Sequence, residues 1–189
     1  MKKYNLILGA LITLFFLSCE GPQGPPGFDG FDGRDGIDGL DGRNGLEQAA
    51  ILEIEGTFSA ADDYSIFFEF PQTVEVFETD VVLVYLLWDQ TEDGNGEPVD
   101  IWRLLPQTRI LDQGLLQYNY DFTFFDVNIF LESDFDLSTL PAADTDNQVF
   151  RIAVLPATDV SGKMDTSNIN SVMSALGMSE SDVTKINLN

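Results

Sequence analysis

The chain has 189 residues, 44% of them hydrophobic and 12% aromatic, enough for one medium domain with a real core and too apolar for a disordered chain. It carries 32 Asp+Glu against 9 Lys+Arg, one cysteine and no histidine. These counts exclude an intrachain disulfide, a thiolate zinc site and Ser–His–Asp or Cys–His catalysis, and the formal charge of -23 sets the surface against nucleic acid. The surplus of carboxylates keeps the protein soluble and favours divalent cations and basic partners.

Lys2 and Lys3 precede an apolar run of twelve residues, Leu6 to Leu17. A bilayer-spanning helix needs about 20 residues, so this run reads as a secretory leader over residues 1–18. It ends Phe16-Leu17-Ser18-Cys19, and the single cysteine of the chain stands directly after a small residue. The ending resembles the lipobox of bacterial lipoproteins. That resemblance implies a diacylglycerol on the Cys19 sulfur, cleavage before Cys19 and acylation of the new amino group. Several acyl chains, each contributing about 0.8 kcal/mol per buried CH₂, make a stable membrane anchor. The FFLSC-E ending is similar to lipoproteins of the Bacteroidota, which implies the bacterial outer membrane, on its cell-surface or its periplasmic face. The plain alternative is an ordinary leader with a spare cysteine.

Glycine then recurs at every third residue: Gly21, Gly24, Gly27, Gly30, Gly33, Gly36, Gly39, Gly42 and Gly45. The nine triplets read GPQ-GPP-GFD-GFD-GRD-GID-GLD-GRN-GLE. In a collagen triple helix three polyproline-II chains wind together, and only glycine fits where each crosses the axis. Residues 19–47 are thus expected to form a lipid-anchored stalk, its 27 repeat residues reaching about 84 Å at about 3.1 Å each. Only Pro22, Pro25 and Pro26 stiffen it, and Asp29, Asp32, Asp35, Asp38 and Asp41 occupy successive Y positions and repel one another across a homotrimer. Such a rod needs nucleation by a trimeric head or cations along the aspartate row. A monomeric extended tether is the alternative. Lipobox, short glycine repeat and C-terminal head in that order resemble bacterial collagen-like lipoproteins, over about a sixth of the chain.

After Glu47 strand patterns begin, and residues 48–160 are expected to form the head. Ala50 to Phe58 starts apolar and then alternates, and the aromatic-rich Tyr64–Phe70 ends at Pro71. Val81–Trp88 is apolar on both faces, the mark of a central strand. Ile101–Leu105 and Thr108–Leu111 are shorter candidates. In Leu115–Leu131 the apolar phase runs through Tyr118, Tyr120, Phe122 and Phe124, then flips to Phe125, Val127, Ile129 and Leu131. A flip of a two-residue period predicts a bulge or sharp bend at Phe124-Phe125. Phe150, Ile152 and Val154 point inward on a late strand that ends at Pro156. About seven strands with short polar turns predict a mainly β fold, an antiparallel β-sandwich.

Residues 161–189 change period. Ile169, Val172, Met173 and Leu176 fall on one helical face, with Gly177 as the stop. Ser179-Glu180-Ser181-Asp182 reads as a capping box opening a second short helix, with Val183 and Ile186 inward. Both helices are expected to pack on the head.

The loop Asp89–Asp100 resembles a twelve-residue calcium loop, which implies oxygen ligands from Asp89, Thr91, Asp93, Asn95, Glu97 and Asp100 and a turn at Gly94. It departs from that pattern at Thr91 and Asp100 and has no flanking helices. Asp-Gly and Asn-Gly are equally ordinary hairpin dipeptides. Asp134, Asp136, Asp144 and Asp146 offer further loop carboxylates, of the kind that hydrolyse glycosides when a cleft brings a pair together. Trp88, Trp102, Tyr118 and Tyr120 suit either a sugar-stacking platform or a core. No enzyme is expected. The leading expectation is a surface lipoprotein whose stalk displays a head for adhesion or structural interaction with a protein or glycan. The second is a monomeric ligand-binding envelope lipoprotein whose repeat is only a tether.

Overall fold

A computed structural model describes residues 49–160 and 164–188; the leader, Cys19 and the glycine triplets lie outside the described residues. Among the described residues, nine strands form two sheets packed face to face. They are β1 (Ala50–Gly56), β2 (Ser65–Glu69), β3 (Val81–Glu92), β4 (Pro98–Leu104), β5 (Gln107–Leu111), β6 (Gly114–Phe122), β7 (Asp126–Ser133), β8 (Gln148–Leu155) and β9 (Thr184–Asn187). One sheet runs β4-β3-β8-β1-β9 and the other β2-β7-β6-β5. All pairs are antiparallel except β1 with β9. Two short helices, α1 (Ala142–Thr145) and α2 (Ile169–Ala175), complete the fold.

Strand alternation divides the apolar residues between two clusters. Leu52 and Ile54 of β1, Val82, Val84 and Leu86 of β3, and Phe150 and Ile152 of β8 face the space between the sheets. There they meet Ile66, Phe68, Leu116, Tyr118, Val127, Ile129 and Leu131 of the other sheet. Phe58 closes the cluster edge-on against Tyr118 and Phe150, with ring centroids 6.0 Å away in each case. The opposite face of the five-stranded sheet carries Ile51, Tyr85, Ala153 and Leu155, covered by Ile169, Val172 and Met173 of α2. This second layer explains why β3 and β8 are apolar on both faces.

The helix ends as its sequence predicts. Asn168 caps its start by accepting from the Asn170 and Ser171 amides. Gly177 sits at φ 68, and the Gly177 and Met178 amides reach back to the Ser174 and Met173 carbonyls. This paired closure needs a residue tolerant of left-handed φ.

Two expectations are decided by the structure. Of the bulge or sharp bend expected at Phe124-Phe125 it has the bend, a full reversal between β6 and β7. Tyr118 faces Leu131, Tyr120 faces Ile129 and Phe122 faces Val127, so four residues, 123–126, lie between the last paired residues. An even-numbered connection pairs even-numbered residues with odd ones, so the apolar phase shifts while the face stays the same. Thr123 pins the turn, since its amide donates to the Asp126 carbonyl and its hydroxyl to the Asp126 carboxylate. The second tail helix is a single 3-10 turn, Glu180–Asp182, with its capping box present; the chain then extends as β9. Lying beside β1 satisfies backbone groups of a sheet edge, which a short free helix would leave exposed.

Candidate functional site

The predicted calcium loop is a hairpin arm. Beyond Leu86, β3 pairs with β4 alone, so residues 87–102 form a two-stranded ribbon with an exposed tip. Trp88 is the extra residue of a bulge, because Leu87 faces Trp102 while Asp89 faces Ile101. Past the bulge, Gln90 faces Asp100 and Thr91 faces Val99. Asp89 and Thr91 therefore occupy one face of the ribbon and Asp100 the other. The tip is closed by its own hydrogen bonds. Asp93 accepts from the Asn95 amide at 2.7 Å and the Glu97 amide at 2.9 Å. The Glu97 and Asn95 amides together hold the Asp93 carboxyl below the usual carboxylate range. Asp100 accepts from the Gln90 side chain at 2.7 Å. The six oxygen-bearing residues do not converge, which corrects the calcium reading: a flat ladder cannot wrap a cation as a coiled loop does. Among the described residues no group of three or more carboxylates is placed to hold a metal ion.

The other loop carboxylates are likewise taken up locally. Asp134 accepts from the Leu115 amide at 2.8 Å, and Asp136 from the Ser138 amide at 2.9 Å. The Ser138 backbone bond keeps the Asp136 carboxyl acidic. A Cβ on Gly114, whose φ is +146, would meet the Asp134 carboxylate at 2.1 Å, so this close approach requires glycine. Asp146 accepts from the Thr145 hydroxyl at 2.8 Å. Asp144 is buried and pairs with Arg109.

The aromatic candidates do not share a platform. Tyr118 is fully buried, donating its hydroxyl to the Asp144 carbonyl at 2.9 Å. Tyr120 is half-buried and donates to the Val82 carbonyl at 3.2 Å. Burial pushes up the pKa of both phenols. Trp88 packs toward the space between the sheets and Trp102 toward the outer cluster. Each indole is faced by arginine. Arg103 and Arg109 lie over Trp88 at 4.1 and 4.6 Å, and Arg151 over Trp102 at 4.3 Å.

The sequence reading overlooked the arginines. Arg151, 2% exposed, sits between apolar neighbours on β8. Register places it beside Glu53 of β1 and Tyr85 of β3. It donates to Glu53 at 2.9 Å and bidentately to Glu180 at 2.6 and 2.9 Å. Lys185 of β9 takes the second Glu53 oxygen at 2.7 Å. Tyr85 donates to the Thr166 carbonyl at 2.6 Å. Together these bonds fasten the tail over the five-stranded sheet. The available signal was an arginine inside the run Val149–Leu155, since a buried cation requires partners.

Among the described residues, two open features lie at the end where the chain enters the head. An open groove of about 890 Å³ is lined by Ala49–Leu52, Gln72–Glu75 and the tail near Leu176–Met178. The other is the β6–β7 turn, where Phe122, Phe124 and Phe125 are 45%, 39% and 65% exposed. No family model matches the chain, and no curated protein or solved structure matches it.

Proposed function

We propose that this chain is a non-enzymatic bacterial lipoprotein of the outer membrane, anchored through Cys19 and displayed at the cell surface. Its collagen-like stalk carries the β-sandwich head for adhesion or structural interaction with a protein or glycan. The observation that carries this reading is the unbroken glycine period from Gly21 to Gly45, which a three-chain rope requires because only glycine fits at its axis. Three heads on one stalk multiply a weak contact by effective concentration, without a deep binding site. The acids proposed for chemistry are engaged in turns and ion pairs, in keeping with a display role.

A second reading, a monomeric ligand-binding envelope lipoprotein with the repeat as a tether, is favoured by the open groove beside Ala49. One measurement tests the anchor that both readings share, and a second separates them. In both, wild-type chain partitions with membranes and Cys19→Ser does not. In the first reading alone, residues 20–189 sediment as three chains and show a collagen-type circular dichroism band that melts cooperatively. A single-chain mass at every concentration, without that band, overturns the stalk reading in favour of the tether.

A further inference from the structure

We propose that the aromatic turn between β6 and β7, Phe122, Phe124 and Phe125, is the surface through which the heads of three copies of this chain meet. The inference rests on the three-chain reading of the glycine repeat and names the part of the head that completes it.

Connectivity supplies the first argument. The last glycine triplet ends at Glu47, and the described head begins at Ala49 with only Gln48 between them. Consecutive Cα atoms are about 3.8 Å apart, so Ala49 lies within about 8 Å of the last repeat residue. Three chains wound about one axis therefore deliver three Ala49 residues close to that axis. If the repeat winds as proposed, one residue of chain is too short to let the heads part widely, and their entry ends lie together.

The second argument is what the entry end displays. Ala50 faces Val154, Val154 faces Val82, and the Val82 carbonyl accepts from the Tyr120 hydroxyl. Phe122 follows two residues later on the same strand. The Phe70 amide donates to the Phe125 carbonyl at 2.9 Å, tying the turn to the segment that crosses this end. The rings are organised and uncovered. Phe124 and Phe125 lie with centroids 3.9 Å apart, and Phe122 stacks on Tyr120 at 6.3 Å. Three adjacent phenylalanines open to water on so acidic a protein mark a contact surface, and aromatic residues are enriched at the cores of such interfaces. A turn near a threefold axis meets its own symmetry copies, which closes the assembly at three.

Residues 20–189 contain no cysteine, so a single introduced thiol reports proximity. Phe125→Cys is treated with a short bifunctional thiol crosslinker and compared with Ile110→Cys. Ile110 is 86% exposed and lies one pair from the β5–β6 turn, at the far end of the head. The expected result is crosslinked species from Phe125→Cys and none from Ile110→Cys. Phe124→Ser/Phe125→Ser is further expected to lower the melting temperature of the stalk band while leaving the melting of the head unchanged. A three-chain wild type in which neither the crosslink nor the lowered stalk melting appears overturns this proposal alone and frees the turn for a lipid surface or another protein. A single-chain wild type overturns it together with the reading it rests on.

Discussion

Arg151 shows how a cation is carried inside a protein so rich in acid. Its guanidinium is bonded on both edges and faced by an indole, so each charge-bearing group has a partner. Removing one member of a buried pair strands the other, at a cost of about 3–5 kcal/mol. Lys185 still reaches Glu53, so Arg151→Met is expected to lower stability in urea by about 3 kcal/mol, the lower end of that range. Arg151→Met combined with Glu53→Gln is expected to cost less than the two single changes added, because they share one network. Glu53 also makes the network sensitive to acid. Burial raises its pKa, but the bonds from Lys185 and Arg151 more than reverse this and hold it below the ordinary value of 4.5. A carboxyl that is more acidic folded than unfolded contributes its full stabilisation above the unfolded pKa and loses it as pH falls through the folded one. The stability difference between wild type and Glu53→Gln is therefore expected to be greatest at neutral pH and to close on acidification below about pH 4.5. A difference independent of pH would show that the Glu53 charge contributes nothing.

The tail is built from elements too short to persist alone. Helix α2 has seven residues and β9 has four, well under the 12–15 or so at which an isolated helix becomes even marginal. Packing on the outer face of the five-stranded sheet holds them. Ile169→Ala is expected to cost about 2–5 kcal/mol, since this side chain is 1% exposed and its loss leaves a cavity beneath the helix. Deleting residues 165–189 uncovers Ile51, Tyr85, Ala153 and Leu155 and strips β9 from the sheet edge. The truncated chain is expected to bind a hydrophobic dye and lose its cooperative melt. An unchanged melting curve would mean that the tail is dispensable.

For the whole molecule, charge opposes the proposed assembly. In a three-chain stalk, five aspartates at successive Y positions of each chain would crowd a thin rod. Along one chain they recur every three residues, which in a polyproline-II rise would be about 9 Å. Screening lengths of about 30 Å at 0.01 M salt and about 3 Å at 1 M bracket that spacing. The proposed stalk is thus expected to melt at a higher temperature in 1 M than in 0.01 M sodium chloride. A stalk band insensitive to salt would mean that the aspartates are not held side by side. The same crowding gives the exposed phenylalanine turn its proposed role, because an apolar contact between heads resists the repulsion behind them.

Local patterns alone determined much of the head. Alternation located most strands but not β9, the two-sided apolar run identified β3 as interior, and period with a glycine stop defined α2, because each signal is a spacing along one element. Tertiary structure decided the rest. The flip near Phe124 became a hairpin because pairing partners are chosen across strands, a choice one strand's period does not encode. The capping box opened a 3-10 turn because the free edge of β1 accepted the following residues as β9. The acidic loop stayed a ribbon because the β3–β4 register turned Asp100 away from Asp89. The arginine network was invisible for the same reason: Glu53, Arg151, Glu180 and Lys185 lie far apart in sequence and adjoin only once the sheet and tail are assembled.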